Sequence, residues 1–377
     1  MTQQARAVIC REVGKPVVVE TVTVEPPRHG EVTIKLAACG VCHSDLSATN
    51  GTLPLPPPVV LGHEGAGSIV ALGEGVGGFA VGDGVTGFAL GDHVLSSFVS
   101  MCGKCRWCQT GRPQLCDQAA KAGFTLPDGT TRFRDAAGNP LNIFSGCGVM
   151  AEYATLHIDN VVRIDAAMPL DKAALIGCGV MTGVGAAVNT AKVEPGSAAV
   201  IFGCGGVGLN AIQGCAIAGA RIIVAVDTVD AKLEMAKAFG ATHTLNARTE
   251  ENVVKALKKL TEGGADFSFE CVGLGEIAAQ AYGCLRKGGT AVVVGVAAPK
   301  DTTTIRTATL TFEEKTLKGS YFGSARPQQD FPRLIGLYRS GRLKLDELIT
   351  RTYTIDEAPQ AFADLAAGRN ARGVILF

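Results

Sequence analysis

Four cysteines stand close together in the segment CGKCRWCQTGRPQLC, where gaps of two, two and seven residues separate Cys102, Cys105, Cys108 and Cys116. Tight CxxC turns bring sulfur atoms together without long-range folding, and four converging thiolates suit a tetrahedral zinc. An iron–sulfur cluster also uses cysteine-rich runs, but its usual spacings differ. Metal-free thiols are the third alternative, although thiols this close are prone to oxidation. Because protein ligands would fill all four coordination positions of the metal, the segment predicts a structural zinc lobe over about 98–120 and not a catalytic site.

Three further motifs carry metal-ligand residue types at distant positions. Cys42 lies in CGVCHSD, His63 and Glu64 lie in LGHEGAG, and Cys178 lies in IGCGVMTG. A set of Cys, His and Cys leaves one coordination position open for water or substrate, which Lewis-acid chemistry requires. Taken singly, Cys178 also fits a packed core thiol, and His63 fits a buried imidazole with ordinary partners. The motifs therefore gain weight from their joint occurrence and order.

A glycine-rich motif follows an apolar strand in AVIFGCGGVGLNAI and presents Gly203, Gly205 and Gly208 as GxGxxG. Such glycines allow a tight turn, a close approach of backbone to pyrophosphate and close packing of the next helix. Asp227 ends the following strand, RIIVAVD, where a carboxylate can bind ribose hydroxyls and would repel a 2′-phosphate. The pattern predicts an NAD site. The alternative is a glycine turn that only connects strand and helix.

The elements that must position these motifs change in character along the chain. Up to about residue 164, short alternating strands (17–24, 31–37 and 67–72) are separated by Pro- and Gly-rich turns, which predicts a β-rich domain. From about residue 180, apolar strands alternate with glycine turns and helices, which predicts a parallel sheet. A helical stretch at 330–343 and a strand at 373–377 follow. A chain of 377 residues is long enough for two cores.

Composition argues against several classes of partner. Lysine plus arginine equals aspartate plus glutamate at 35 each, so no net field attracts nucleic acid or an anionic membrane. We find neither a signal-peptide pattern nor an unbroken apolar run of the roughly 18 residues that a membrane helix needs, and the glycine-interrupted tract 173–188 favours core. Thirteen cysteines without a secretion signal favour metal ligation over disulfides. We therefore expect a cytoplasmic protein that binds small molecules.

Together these motifs resemble a known family. CGVCHSD, GHEGAG, the four-cysteine segment, GCGVMTG and the glycine loop occur in the order typical of the zinc-containing medium-chain alcohol dehydrogenases, and the resemblance spans essentially the whole chain. It implies an α/β protein with a GroES-like β-rich catalytic domain and a doubly wound Rossmann-type cofactor domain. The implied boundaries are 1–180 and 323–377 for the catalytic domain, which includes the zinc lobe, and 181–322 for the NAD-binding domain.

The resemblance also implies roles for individual residues. A catalytic zinc would bind Cys42, His63 and Cys178, which makes two zinc ions per chain with the structural one. Around it, Ser44 would take the alcohol proton, Asp45 would orient His63, Glu64 would lie behind the metal, and Thr182 would position the nicotinamide. The implied NAD contacts are Gly203, Gly205, Gly206, Val207, Gly208, Asp227, Val294 and Val296, with Lys232 near the adenosine ribose and His43 and Arg372 near the pyrophosphate. The implied substrate pocket comprises Phe98, Phe144 and Val296, although these also suit ordinary core, and His43 and Arg372 also suit solvated surface.

These inferences predict a zinc-dependent oxidoreductase that transfers a hydride between NAD and a primary or secondary alcohol or aldehyde of aromatic, terpenoid or medium aliphatic type. One alternative is a glutathione-dependent formaldehyde dehydrogenase, and another is a non-catalytic, redox-responsive protein that binds NAD and zinc. The resemblance further implies a homodimer or homotetramer. One departure is Ser47, which stands where many members have a histidine that completes a proton relay. Because a hydroxyl cannot hold a proton near neutral pH as imidazole does, we expect activity with an altered pH dependence.

Overall fold

The chain divides into two compact units. The computed structural model describes residues 2–77, 79–81 and 84–377, and for 79–81, 84–86 and 120–122 it describes the backbone alone. The first unit comprises Met1–Cys178, Arg326–Tyr338 and Leu345–Phe377, and the second comprises Gly179–Ala325 and Arg339–Lys344. The expected boundaries, 1–180 with 323–377 for one domain and 181–322 for the other, differ from this division at 179–180, at 323–325 and at Arg339–Lys344. The last of these segments groups with the second unit because the Gln213 amide donates to Lys344 O at 3.1 Å and accepts from Lys344 N at 2.7 Å.

The strands range from two to eleven residues in length. In chain order they are β1 (Gln3–Cys10), β2 (Val18–Val24), β3 (Glu31–Val41), β4 (Val59–Val60), β5 (Gly65–Leu72), β6 (Phe79–Val81), β7 (Gly84–Thr86), β8 (His93–Ser96), β9 (Phe133–Arg134), β10 (Pro140–Ile143), β11 (Tyr153–His157), β12 (Val161–Arg163), β13 (Ala198–Phe202), β14 (Ile222–Asp227), β15 (His243–Asn246), β16 (Ala265–Glu270), β17 (Leu285–Val293), β18 (Thr316–Gly319), β19 (Ile349–Thr354) and β20 (Arg372–Leu376).

The helices are short in the first part of the chain and longer in the second. In order they are α1 (His43–Thr49), α2 (Arg106–Gln109), α3 (Asp117–Ala122), α4 (Leu170–Ala174), α5 (Gly179–Gly185), α6 (Gly206–Ala218), α7 (Asp230–Ala238), α8 (Val253–Leu260), α9 (Gly275–Gly283), α10 (Thr307–Phe312), α11 (Pro327–Arg339) and α12 (Ala358–Ala366). A π-helical turn, Ala186–Ala191, continues α5. Single 3₁₀ turns occur at Pro113–Leu115, Phe144–Gly146, Ile158–Asn160, Leu175–Gly177, Phe322–Ser324 and Ile355–Glu357.

The first unit is β-rich, as its alternating strands and turns predicted. Strands β1, β2, β9, β10 and β4 close into a barrel, and a second sheet has the order β12-β8-β5-β3-β20-β19, with β11 also paired to β3. Its core includes Val8, Ile34, Phe133 and Leu156, all at most 2% exposed. The C-terminal strand β20 runs antiparallel to β3. The last strand of the chain therefore joins the sheet that carries the motifs near its start.

The second unit contains a parallel sheet with the order β15-β14-β13-β16-β17-β18. Both β14 and β16 pair in parallel with β13, so the strand order reverses there. Because connections between parallel strands are right-handed, this reversal places successive helices on opposite faces of the sheet. Residues Ala198–Phe202 of β13 are all buried, as a central parallel strand requires. This confirms the expected doubly wound fold.

The apolar tract that the sequence predicted as core is buried. Ala173, Leu175, Val180 and Val184 are each at most 1% exposed. Among the described residues, no single helix is long and apolar enough to cross a membrane, and one bent pair, Leu170–Gly177 with Gly179–Ala191, meets the length and composition criteria only when taken together.

Candidate metal and dinucleotide sites

One edge of the mixed sheet in the first unit brings together motifs that are far apart in the sequence. Because β5 runs antiparallel to β3, Cys42, just after β3, lies near His63, just before β5. Strand β8 ends and strand β20 begins at the same edge. Cys178 follows a 3₁₀ turn that packs tightly here, since a Cβ on Gly177 would lie 2.9 Å from the Ser96 carbonyl oxygen. Sheet register therefore explains the convergence of these segments.

The side chains of Cys42, His63, Glu64 and Cys178 form a buried group whose potential ligand atoms all lie within 4.8 Å of one another. Two sulfurs and an imidazole nitrogen are donors that zinc prefers, so this group fits the metal that the resemblance implied. His63 Nδ1 lies 3.1 Å from Asp45 Oδ2, which leaves the other ring nitrogen for the metal. A hydrogen bond between the two thiols holds the pKa of Cys42 well below its ordinary value and raises that of Cys178 well above it.

Glu64 and Arg372 form a buried ion pair beside this group. Gly40 makes room for it, since a Cβ there would lie 2.0 Å from Glu64 Oε2. Burial raises the pKa of Glu64 to about 7, although the charge of Arg372 opposes the rise. Arg372 is 5% exposed, so its alternative interpretation as solvated surface is wrong.

Helix α1 begins directly after Cys42 and carries three predicted site residues. Asp45 is fully buried, and its Oδ1 accepts a hydrogen bond from Gly62 N at 2.8 Å, so it holds the loop that precedes His63. Ser44 Oγ lies 3.8 Å from Cys42 Sγ. His43 is exposed. The hydroxyl assigned to proton transfer thus stands beside the metal-ligand group.

Two of the three predicted pocket residues contact the His63 ring. Phe98 and Phe144 have ring centroids 5.6 and 5.5 Å from it, both in edge-to-face arrangements. Phe144 is buried and Phe98 half-buried. Val296 belongs to the second unit and is 65% exposed. In the first unit, two aromatic rings therefore lie next to the metal-ligand group.

Ser96 supports the same group, and sequence reasoning did not identify it. Its buried hydroxyl accepts a hydrogen bond from Gly65 N at 2.8 Å and donates one to His63 O at 2.9 Å. These bonds fix the backbone on both sides of Glu64. The sequence LSSF around Ser96 does not indicate this role, because the role depends on the register of β5 against β8.

The four-cysteine segment forms the other group of potential ligands found among the described residues. The sulfurs of Cys102, Cys105, Cys108 and Cys116 all lie within 4.8 Å of one another. Cys105 N donates to Cys102 Sγ at 3.4 Å. Backbone hydrogen bonds, that of Cys108 foremost, lower the pKa of Cys105 to about 6. Four sulfurs complete a tetrahedron, so this donor set fits a closed structural zinc.

The glycine loop of the second unit lies between β13 and α6, where the strand order reverses. Gly203 has φ +87°, and Gly208 packs so closely that a Cβ on it would lie 1.7 Å from Gly203 O. By contrast, a Cβ on Gly205 would meet open space. Asp227 Oδ2 accepts from Cys204 N at 2.8 Å, so the acidic side chain and the loop are fixed together. This arrangement fits a pyrophosphate at the N-terminus of α6 and a ribose near Asp227.

Of the remaining predicted dinucleotide contacts, His43 and Arg372 lie in the first unit and the others lie in the second. Gly206 and Val207 begin α6, Thr182 lies half-buried in α5, and Lys232 lies half-buried in α7. Val294 follows β17 and is 7% exposed.

Comparison with known proteins gives matches along almost the whole chain. Two family models match, the alcohol dehydrogenase GroES-like domain at residues 28–166 and the zinc-binding dehydrogenase at residues 206–340. The NDMA-dependent alcohol dehydrogenase of Amycolatopsis methanolica is 41% identical over 99% of each chain. The S-(hydroxymethyl)glutathione dehydrogenase of Paracoccus denitrificans is 38% identical over 99% of this chain and 100% of its own. The crystal structure of benzyl alcohol dehydrogenase from Acinetobacter calcoaceticus aligns with a TM-score of 0.90 at 34% identity, covering 100% of this chain and 99% of that one.

A GroES-like domain joined to a dinucleotide-type parallel sheet, with cysteine and histidine ligands at the edge of a sheet, defines an oxidoreductase of the dehydrogenase class. The chain belongs to the zinc-containing medium-chain alcohol dehydrogenase family. The expected fold class, a GroES-like β-rich domain with a Rossmann-type domain, is therefore confirmed.

Proposed function

We propose that this protein is a zinc- and NAD-dependent alcohol dehydrogenase that acts on small hydrophobic primary or secondary alcohols and on the corresponding aldehydes. The observation that carries the proposal is the convergence of Cys42, His63 and Cys178, whose ligand atoms lie within 4.8 Å of one another. The family supports an oxidoreductase, and this donor set supports a metal with one position left for substrate.

A zinc ion held by Cys42, His63 and Cys178 would supply a Lewis acid for an alcohol or carbonyl oxygen. The protein's own groups do the rest. Asp45 fixes the His63 ring, and Ser44 Oγ, 3.8 Å from Cys42 Sγ, is placed to take the proton of the alcohol hydroxyl. Bound NAD would supply the hydride acceptor for alcohol oxidation, and NADH would supply the hydride donor for the reverse reduction.

The glycine loop and Asp227 support NAD as the hydride acceptor. The amides at the start of α6 suit the pyrophosphate, and the Asp227 carboxylate suits unphosphorylated ribose hydroxyls, with Lys232 in the next helix. We also assign Thr182, Val294 and Val296 to the nicotinamide.

An apolar substrate is supported by Phe98 and Phe144, whose rings lie against His63. The similarity to a benzyl alcohol dehydrogenase agrees with an aromatic alcohol. Two other relatives define the alternatives to test, because one is named for S-(hydroxymethyl)glutathione and the other for dependence on NDMA.

The decisive experiment is a panel of aromatic, terpenoid and aliphatic alcohols assayed with NAD by the absorbance of NADH. We expect turnover of hydrophobic alcohols without glutathione or NDMA, and a strong preference for NAD over NADP. Turnover of formaldehyde only in the presence of glutathione would favour the first alternative. Zinc at one ion per chain with no hydride transfer to any compound would favour a non-catalytic, redox-responsive protein.

The assembly and the location are proposed together with the function. We propose a homodimer or homotetramer, as the family resemblance implies, to be measured by light scattering. A cytoplasmic location is supported by the thirteen cysteines, which form no disulfide within the described part of the chain, because reducing compartments keep thiols unpaired.

A further inference from the structure

Glu270 ends β16 at the same sheet edge as the glycine loop and is fully buried. Its Oε1 accepts hydrogen bonds from the backbone N–H groups of Val272 and Gly273, both at 2.7 Å. Its Oε2 is also buried, and within the described part of the chain it has no hydrogen-bond partner. A buried carboxylate is unfavourable unless its hydrogen bonds are satisfied, so this half-satisfied group calls for an explanation.

The backbone of Glu270 and its neighbour ties together the ends of three strands. Glu270 O accepts from Val294 N at 2.8 Å and from Gly295 N at 2.9 Å, just beyond β17. Cys271 N donates to Phe202 O, at the end of β13, at 2.9 Å. The turn that follows β16 is therefore anchored on both sides.

Two glycines bring this turn into direct backbone contact with the segment after β17. A Cβ on Gly273 would lie 2.6 Å from Val296 O, and a Cβ on Gly295 would lie 2.2 Å from Gly273 N. Neither segment can shift without displacing the other, because no side chain separates them. The Glu270 carboxylate, which fixes the turn, therefore also fixes the position of Val296.

Two apolar side chains on these segments stay open to solvent. Val272 is 49% exposed and Val296 is 65% exposed. Val272 leans over the glycine loop, since a Cβ on Gly203 would lie 2.7 Å from its Cγ2. Dinucleotides bind at the carboxyl ends of strands where the strand order reverses, and apolar side chains there suit a flat ring better than a phosphate.

We propose that Glu270 is a positioning residue for the dinucleotide: its carboxylate holds the turn after β16 and thereby places Val272 and Val296 against the nicotinamide half of NAD. The inference rests on the proposed NAD-dependent function. Burial raises the pKa of Glu270 while the backbone donors oppose the rise. The role proposed here needs an oxygen that accepts the two backbone hydrogen bonds, which a neutral amide oxygen can also provide.

The test compares the two halves of the dinucleotide by measuring the Kd for NADH and the Kd for AMP. AMP contains only the adenosine end, which is proposed to bind near Asp227. Glu270→Ala leaves two amides unpaired, and we expect the Kd for NADH to rise about tenfold while that for AMP stays within about twofold. Glu270→Gln keeps one accepting oxygen and should restore NADH binding to within about threefold of the parent. Glu276→Ala, which removes an exposed carboxylate from the first turn of α9, is the matched control and should change neither Kd.

Equal weakening of NADH and AMP by Glu270→Ala would show a merely structural role and overturn the inference, as would parent-like NADH binding. If that variant does not fold, Glu270→Asp is titrated instead, because a side chain shorter by one methylene cannot reach both amides. NADH-selective weakening then supports the inference, and unchanged binding overturns it. A parent protein that binds neither ligand would refute the NAD-dependent function as well, whereas normal parent binding with indifferent variants would refute only the role of Glu270.

Discussion

A single hydroxyl holds the backbone of the metal-ligand loop, and its removal should weaken the metal site. In Ser96→Ala, Gly65 N and His63 O lose their common partner. Removing a group that supports a metal ligand typically lowers metal affinity by about 10- to 100-fold. We therefore expect zinc affinity, measured by competition with a chelator, to fall by that factor. The free energy of unfolding should fall by about 1–3 kcal/mol.

Ser268→Ala is the matched control, because this buried serine of the second unit donates to Ala281 O at 2.7 Å. It should lose stability and keep the metal affinity of the parent. Equal metal affinities in Ser96→Ala and the parent would contradict the supporting role of Ser96.

Ser47 lies half-buried in α1, and its carbonyl accepts from Leu53 N at 2.9 Å. Since its hydroxyl cannot store a proton near neutral pH, alcohol oxidation by the parent should depend on hydroxide or buffer to remove the proton. Ser47→His introduces an imidazole with an ordinary pKa of about 6.5, so kcat/KM should rise at neutral pH and level off at lower pH than in the parent. Ser47→Asn, which is polar but does not titrate, should keep the parent profile. Identical profiles for the histidine variant and the parent would refute this account of proton exit.

At the scale of elements, a buried arginine ties the loop between α3 and β9 to the start of β3. Arg132 donates to Glu31 from Nε at 2.9 Å and from Nη2 at 2.5 Å, and Nη2 also donates to Asp128 Oδ2 at 2.6 Å. Burial opposes ionisation of Asp128, but hydrogen bonds from Arg132 and Thr130 outweigh it and lower its pKa to about 2. Because the folded pKa is lowered, this contribution to stability is complete above pH about 4 and is lost as the pH falls through about 2.

Asp128→Asn should therefore destabilise the protein most near neutral pH. The loss in free energy of unfolding should be about 1 kcal/mol, since the side chain is 40% exposed and solvent screens the pair. Urea unfolding at several pH values should show the difference from the parent shrinking between about pH 4 and 2. Asp356→Asn breaks a more exposed pair with Arg6 and should show a smaller pH-dependent change. A difference that does not vary with pH would contradict the assigned pKa.

The sequence predicted local groups better than distant pairings. The four-cysteine group was predictable because its members lie within one short segment, and the glycine loop because strand, turn and helix are consecutive. The contact of Glu64 with Arg372 spans 308 residues and was not predicted, because the resemblance implied a separate role for each of the two residues. Ser96 and Glu270 were missed because their roles depend on strand register and on turns that meet in space, which local preferences do not specify.

At the scale of the whole molecule, the two ligand groups should serve separate purposes although both lie in the first unit. We expect two zinc ions per chain by elemental analysis, and one in either Cys178→Ser or Cys108→Ser. Cys178→Ser removes a ligand of the open site, so alcohol oxidation should be abolished with little change in melting temperature. Cys108→Ser removes a ligand of the closed site, so the melting temperature should fall, on the order of 5 °C, while the folded fraction keeps its turnover.

This separation depends on the different donor sets, because three protein ligands leave a position for substrate and four do not. Cys215→Ala is the control, since this buried thiol of α6 belongs to neither group and its variant should retain two zinc ions and turnover. If Cys108→Ser lost turnover in proportion to zinc while its melting temperature stayed unchanged, the four-cysteine group would act in catalysis and not in folding. If Cys178→Ser kept both zinc ions, the group around Cys42 and His63 would not be the open metal site.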